Sequence, residues 1–414
     1  MPSFCSSPRA VEVTASEEIE LNFFENQYGN YLPSVDTVTF YEGEPPVSFL
    51  SQRVAEVVNA NPWLAGSLRT NAEGRMVLVM PSSIDPTRHF GEADIPGLKH
   101  DANLEKELMP KLTPFTVSLN DKTNLFKVAL IKTAPSRFAV VVSLSHAIGD
   151  GHTFYLLHGM LSATKDVTAY NPQRVMSYTQ KSLDSTFGEK KVAGQMSFSN
   201  MFGLLISPAL LAPFRRSPTN EIRLVNKEWI AEQKKLSKLK LAEQDQPQVP
   251  FVSTNDILTS WFMRNGGFTT GIMAVNLRNK RPDLKDEHIG NYEWMTHYFP
   301  SQFATPEGIR KPLANGAKTG QLRTSKAEFF SSFTDKFAKK EACVTNWSSF
   351  FQEIDLPECK PIFHMPLIKS MPLYGGGMAI FQATKEKIGV FMWGDTSCIA
   401  RVLKEGAGAV DTLA

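Results

Sequence analysis

Residues 124–161 read NLFKVALIKTAPSRFAVVVSLSHAIGDGHTFYLLHGML. In the first nine, Phe126, Val128 and Leu130 fall on one side of an extended chain; after Ala134-Pro135-Ser136, so do Phe138, Val140, Val142 and Leu144. Side chains of a strand alternate between faces, so two such runs about a Pro-Ser turn predict a β-hairpin. His146 continues the even-numbered face and leaves the buried side where the strand ends. Ala147-Ile148-Gly149-Asp150-Gly151 is a turn signal, and an apolar helix is expected from about His152. A histidine thus stands at a strand-to-helix corner.

Outward from this corner the patterns keep alternating. Upstream, Leu50, Val54, Val57 and Val58 recur at helical spacing within 47–59. Asn61-Pro62 closes that helix, because the residue before a proline is pushed out of the helical region, and a strand over 76–80 follows. Downstream, 165–225 is rich in Ser, Asn and Pro and reads as a crossover. A polar helix is expected over 226–243. Ser253-Thr254-Asn255-Asp256 then opens a second helix, with Ser253 or Thr254 placed to cap it, Asp256 in its first turn, and Ile257, Leu258, Trp261 and Phe262 on its buried stripe. A strand through 271–278, a loop over 281–291, and a hairpin pairing 376–382 with 388–393 about Thr384–Lys387 complete the plan. The expected fold class is α/β in the α+β sense, built twice: residues 1–165, a crossover over 166–225, and residues 226–414.

The composition removes several classes of function. With 414 residues, 42% hydrophobic and 21% charged, the chain can bury a sizeable core. Lys plus Arg is 44 and Asp plus Glu is 42, a net charge of +2, so there is no electrostatic reason to expect nucleic acid. The four cysteines, Cys5, Cys343, Cys359 and Cys398, form no CxxC pair, which points to neither a disulfide framework nor a zinc site, and a reducing cytoplasmic location is expected. The first twenty residues lack the apolar stretch of a secretory signal and turn acidic. The longest apolar run, GLLISPALLAPF at 203–214, is broken by Pro208 and Pro213, so no transmembrane segment is expected.

The chemistry concentrates in His146-Ala-Ile-Gly-Asp150-Gly151. An imidazole can take a proton from a hydroxyl or amine as it attacks a carbonyl. The carboxylate four residues on has two uses open to it: to orient the imidazole directly, or to lock the turn by pairing with a cation elsewhere while Gly151 permits a positive φ. His146, Asp150 and His152 lack further partners at ligand spacing, so no metal is expected; His152 and His158 read as helix residues. Gly375-Gly376-Gly377 lacks the Lys-Ser/Thr of a phosphate cradle and reads as a loop entering the last hairpin.

These residues, together with four further segments, resemble the CoA-dependent acyltransferase superfamily, which includes chloramphenicol acetyltransferase, peptide-synthetase condensation domains and the BAHD acyltransferases. NPWLAGSL at 61–68, STNDILTSWFMR at 253–264, VNLRNKRP at 275–282 and HIGN at 288–291 are similar to the family's motifs, in its order. The resemblance implies two chloramphenicol acetyltransferase-like lobes, each a mixed sheet with helices, with a tunnel between them that admits acyl-CoA and acceptor from opposite ends. It implies that His146 is the general base, that Asp150 pairs with Arg278 in support of the motif with Gly151, and that Thr345 and Trp347, in a segment similar to the family's "tSW" stretch, serve the acceptor and the oxyanion. The DFGWG sequence of the plant clade is absent: Asp355 to Pro361 stands in its place, retaining only the Asp and Lys-Pro. The expected activity is transfer of an acyl group to the hydroxyl or amine of a small molecule by a monomer, with acyl-CoA as co-substrate and no permanently bound cofactor. A carrier-protein thioester donor and a silent ligand-binding relative are the alternatives.

Overall fold

The computed structural model describes residues 17–29, 32–119, 121–179, 218–319, 341–369 and 375–413. The run 203–214 lies outside them. Two mixed sheets organise the chain. The first contains five strands: β2 (Val35–Glu42), β5 (Phe90–Asp94), β6 (Phe126–Ala134), β7 (Arg137–Leu144) and β12 (Lys360–Pro366), in the order β12-β2-β7-β6-β5. The second contains seven: β8 (Pro218–Val225), β9 (Thr270–Asn276), β10 (Glu293–Tyr298), β11 (Glu341–Asn346), β13 (Gly376–Gln382), β14 (Ile388–Asp395) and β15 (Val410–Asp411), in the order β10-β9-β11-β13-β14-β8-β15. A small sheet of β1 (Glu18–Glu20), β3 (Ser67–Thr70) and β4 (Met76–Val79) flanks the first, and a short helix, α1 (Phe23–Tyr28), follows β1. The two-lobed, mixed α/β expectation is met.

Two strands fall across the expected boundaries. β8, inside the stretch read as a crossover, pairs with β14 of the second sheet, and β12, from the second half, pairs antiparallel with β2 of the first. The second half of the chain therefore reaches across and completes the sheet that carries His146.

The predicted hairpin is β6 and β7, turning at Ser136 with φ of 54°. Its even-numbered side chains pack with α2 (Val47–Ala60) and α3 (Gly151–Gly159) in the first core. The odd-numbered ones, Ala129, Ile131, Ala139 and Val141, are buried as well. They meet Phe363, Phe381, Phe391 and Trp393 in a core between the two sheets. One apolar face was expected and two are buried, as in strands covered on both sides.

The elements read from spacing form for the reasons given. α2 buries Leu50, Val54, Val57 and Val58, and ends at Asn61. A helix over Lys227–Ala242, capped by Asn226, is the polar one. In the helix Thr254–Asn265, Ser253 is the cap: its side chain accepts from the Asp256 amide, while Asp256 accepts in return from the Ser253 amide at 2.7 Å. Among the described residues no helix is long and apolar enough to cross a membrane.

The glycine triplet has a different cause from the one expected. Gly376 and Gly377 are already in β13, and Gly377 sits opposite Trp393 in the ladder. A Cβ on Gly377 would lie 2.0 Å from the Trp393 ring, and one on Gly389 would lie 2.4 Å from Phe381, its own cross-strand partner. Each glycine leaves the place of its Cβ to an aromatic ring from the neighbouring strand, so the requirement is close packing and not a ligand. Gly377→Ala is expected to destabilise the fold by about 1–3 kcal/mol, the usual cost of forcing extra volume into a packed core, read as a lower midpoint in urea.

Candidate active site

β7 ends at Leu144, and His146 follows in a turn closed by the Ile148 amide on the Ser145 carbonyl at 3.1 Å. Asp150 then caps α3, accepting from the Thr153 amide at 2.9 Å. Its other oxygen is 2.7 Å from Arg278 Nη1 and also accepts from the Tyr292 amide at 3.0 Å. Of the two uses left open for this carboxylate, the second is realised, because its partner is the Arg278 guanidinium and not the imidazole.

Arg278 is 2% exposed, and each of its donor nitrogens is engaged. Nε donates to the His288 carbonyl at 2.8 Å. Nη1 donates to Asp150 and to Asn276 Oδ1 at 3.1 Å, and Nη2 to the Gly290 carbonyl at 2.9 Å and Thr153 Oγ1 at 3.2 Å. The five N–H groups of the fork thus meet five acceptors. Burial by itself would raise the Asp150 pKa; the charge and hydrogen bond of Arg278 outweigh it and hold the carboxyl at about 2. Gly151, the first residue of α3, does not take the positive φ allowed for it, which belongs instead to Gly290 at +120°. A Cβ on Gly290 would lie 2.8 Å from Arg174 Nε.

The imidazole is oriented from the other half of the chain. Asn291 Nδ2 donates to the His146 carbonyl at 2.8 Å and to Glu25 Oε1 at 3.2 Å, both obligate acceptors. The amide can face only one way, so its Oδ1 is the atom 2.9 Å from His146 Nδ1. An amide oxygen accepts, hence Nδ1 carries the proton and neutral His146 presents the lone pair of Nε2. Behind Asn291 stands a fully buried ion pair, Glu25 with Arg174, at 2.9 Å. Glu25 also accepts from the Asn291 amide at 3.0 Å, and Arg174 Nη2 donates to the Ile148 carbonyl at 3.0 Å inside the HxxxDG turn. On the Nε2 side, Glu293 Oε1 lies 3.7 Å away; the two side chains are 14% and 15% exposed. Burial raises the Glu293 carboxyl pKa, an effect the neighbouring imidazole partly offsets.

The structure also brings Trp347 to this corner. Its indole Nε1 donates to Thr345 Oγ1 at 3.1 Å, and a Cβ on Gly151 would lie 3.5 Å from that nitrogen. A hydroxyl that accepts one bond keeps its own hydrogen free to donate. His152 engages the Asp286 carbonyl at 2.9 Å and edges onto Phe350, while His158 is buried among Phe154, Tyr155 and Phe351. Among the described residues no group of three or more potential ligands is placed to hold a metal ion.

Reasoning from sequence singled out His146, Asp150 and Arg278, and passed over Asn291, Glu293, Glu25 and Arg174. The first two were within reach: HIGN ends on Asn291, and in an extended chain residues i and i+2 share a face, so Asn291 and Glu293 address the same ring from one segment. Nothing local marks Glu25 or Arg174.

Two measurements check this geometry. Arg278→Ala leaves Asp150 buried without its cation, and a loss of about 3–5 kcal/mol in unfolding free energy is expected. Because the folded Asp150 pKa lies below the roughly 3.9 of an unfolded carboxyl, the stabilisation from this pair is full above about pH 4 and fades as pH falls toward 2; the acid limb of stability should shrink in the variant. Nitrogen-15 NMR of the neutral protein should find His146 protonated at Nδ1, and in Asn291→Ala that tautomer should lose its dominance.

No family model matches the chain, and no curated protein sequence does. Solved structures do. TRI101 of F. sporotrichioides, complexed with coenzyme A and T-2, aligns with a TM-score of 0.60 and 14% identity over 94% of this chain and 97% of that one. The first condensation domain of the calcium-dependent antibiotic synthetase, bound to a substrate analogue, aligns at 0.58 with 12% identity over 96% and 98%. Polyketide synthase associated protein 5 from Mycobacterium tuberculosis aligns at 0.57 with 14% identity over 93% and 96%. Over nearly its whole length the chain has the two-lobed, chloramphenicol acetyltransferase-like fold of the CoA-dependent acyltransferases and condensation domains.

Proposed function

We propose that this protein transfers an acyl group from acyl-CoA to a small-molecule nucleophile, with His146 Nε2 as the general base. One observation carries the reading: the Nδ1 contact with Asn291 leaves the opposite nitrogen with a free lone pair on a side chain that is still 14% exposed, where the two halves of the chain meet. As the acceptor's X–H donates its proton to Nε2, the heteroatom attacks the thioester carbon. The imidazolium then returns the proton to the departing CoA thiolate. Asp150, Gly151 and Arg278 serve by holding the turn that presents the ring. Thr345, its hydroxyl oriented by Trp347, supplies a donor to the oxyanion; one such bond commonly lowers the barrier by about 3 kcal/mol.

The motif offers no serine or cysteine nucleophile, so donor and acceptor are held together in a ternary complex and the rate comes from proximity within the tunnel between the lobes. The likeness to coenzyme A-bound TRI101 supports the donor class. The comparable likeness to a condensation domain supports a second reading, a thioester carried by a protein; whether free acyl-CoA suffices separates the two.

His146→Ala is the decisive variant. It is expected to keep its melting transition and to lose at least about 10²-fold in thiol release from acyl-CoA, the scale set by general-base catalysis. Near-full transfer by this variant would remove His146 from the role.

A further inference from the structure

We propose that the acceptor is a primary amine and that Glu293 selects it, a reading that rests on the transferase assignment above. Glu293 Oε1 and His146 Nε2 lie 3.7 Å apart, longer than a direct hydrogen bond between them. Among the described residues no lysine or arginine lies within ion-pair distance of this carboxylate, and the His146 ring is the basic group beside it. Arg278 is taken up by Asp150, and Tyr178 donates at 2.7 Å to the backbone carbonyl of Glu293 and not to its carboxylate, which is 15% exposed.

A single atom at ordinary hydrogen-bond distance from both groups, about 2.8–2.9 Å, sees them at roughly 80°, which tetrahedral N–H bonds reach if each hydrogen bond bends by about 15°. An amine nitrogen carries hydrogens for both acceptors. A hydroxyl carries one, so an alcohol in the same place leaves either the base or a largely buried carboxylate without a donor, and a site built for a second donor discriminates against a ligand that lacks it.

Proton bookkeeping points the same way. An amine arrives as R–NH3+ and must lose two protons on the way to the amide, whereas an alcohol loses one. Glu293 takes the first and passes it to solvent, freeing the lone pair. The C–N bond forms as the carbonyl pair moves to oxygen, and His146 takes the second proton. When the carbonyl re-forms and the C–S bond breaks, that proton goes to the CoA thiolate. The sum is ammonium plus thioester giving amide, free thiol and one released proton. A carboxyl whose pKa burial raises is better suited to the first transfer than an exposed one.

Matched twins, 2-phenylethylamine with 2-phenylethanol and benzylamine with benzyl alcohol, would be assayed with acetyl-CoA by thiol release. The wild type is expected to favour the amine at least tenfold in kcat/KM, and Glu293→Gln to lower the amine-to-alcohol ratio at least thirtyfold. An alcohol used as well as its amine, or a ratio that Glu293→Gln leaves unchanged, would overturn the proposal. If Glu293→Gln does not fold, the wild-type ratio decides. Silence with every twin counts against acetyl-CoA as donor and not against the recognition, which NMR titration with 2-phenylethylammonium then settles. Binding at least tenfold weaker in Glu293→Gln, or in Glu293→Asp, upholds it, and equal binding sinks it.

Discussion

The guanidinium of Arg278 is the constraint on which the site depends. It is buried, comes from the second half of the chain, and is satisfied by acceptors of both halves: the Asp150 carboxylate and Thr153 hydroxyl from one, the carbonyls of His288 and Gly290 and the side chain of Asn276 from the other. A buried ion pair is weak evidence for net stability, since desolvation offsets most of the attraction, yet losing one partner is costly. What the pair secures here is position. It holds the start of α3 against the 288–291 turn, and His146 and Asn291 are thereby brought within one hydrogen bond of each other.

A second buried pair does the same from behind. Glu25 and Arg174 bracket Gly290, whose missing Cβ and positive φ leave room for the guanidinium, and Glu25 holds Asn291 by both its main chain and its side chain. The imidazole is thus oriented by a neutral amide that is itself oriented by a carboxylate. An amide at Nδ1 selects the tautomer without placing a negative charge there, and the carboxylate nearest the ring, Glu293, lies on the reacting side. This arrangement differs from one in which a carboxylate backs the ring to stabilise imidazolium.

How far the sequence could be read followed the range of each interaction. The hairpin over 126–144, the stripe of α2 and the Ser253 cap rest on contacts within a few residues, and period and capping chemistry disclose those. β8 reads locally as crossover, since 165–225 is rich in Ser, Asn and Pro; it becomes a strand through its ladder with β14. Gly377 reads locally as loop, and its reason is Trp393, sixteen residues on and across the sheet. For Asp150, local chemistry left two roles open, and only the family resemblance pointed to Arg278.

By itself the amino-acid order determined a twofold α+β plan, a histidine where a strand ends, and a turn into an apolar helix just after it, because turns and side-chain period act over short stretches of chain. Which nitrogen of that histidine is free, and which carboxylate faces it, was decided by the tertiary structure alone. Those contacts join residues more than a hundred positions apart, and a hydrogen bond's partner is chosen by where packing leaves each atom, which no local pattern encodes.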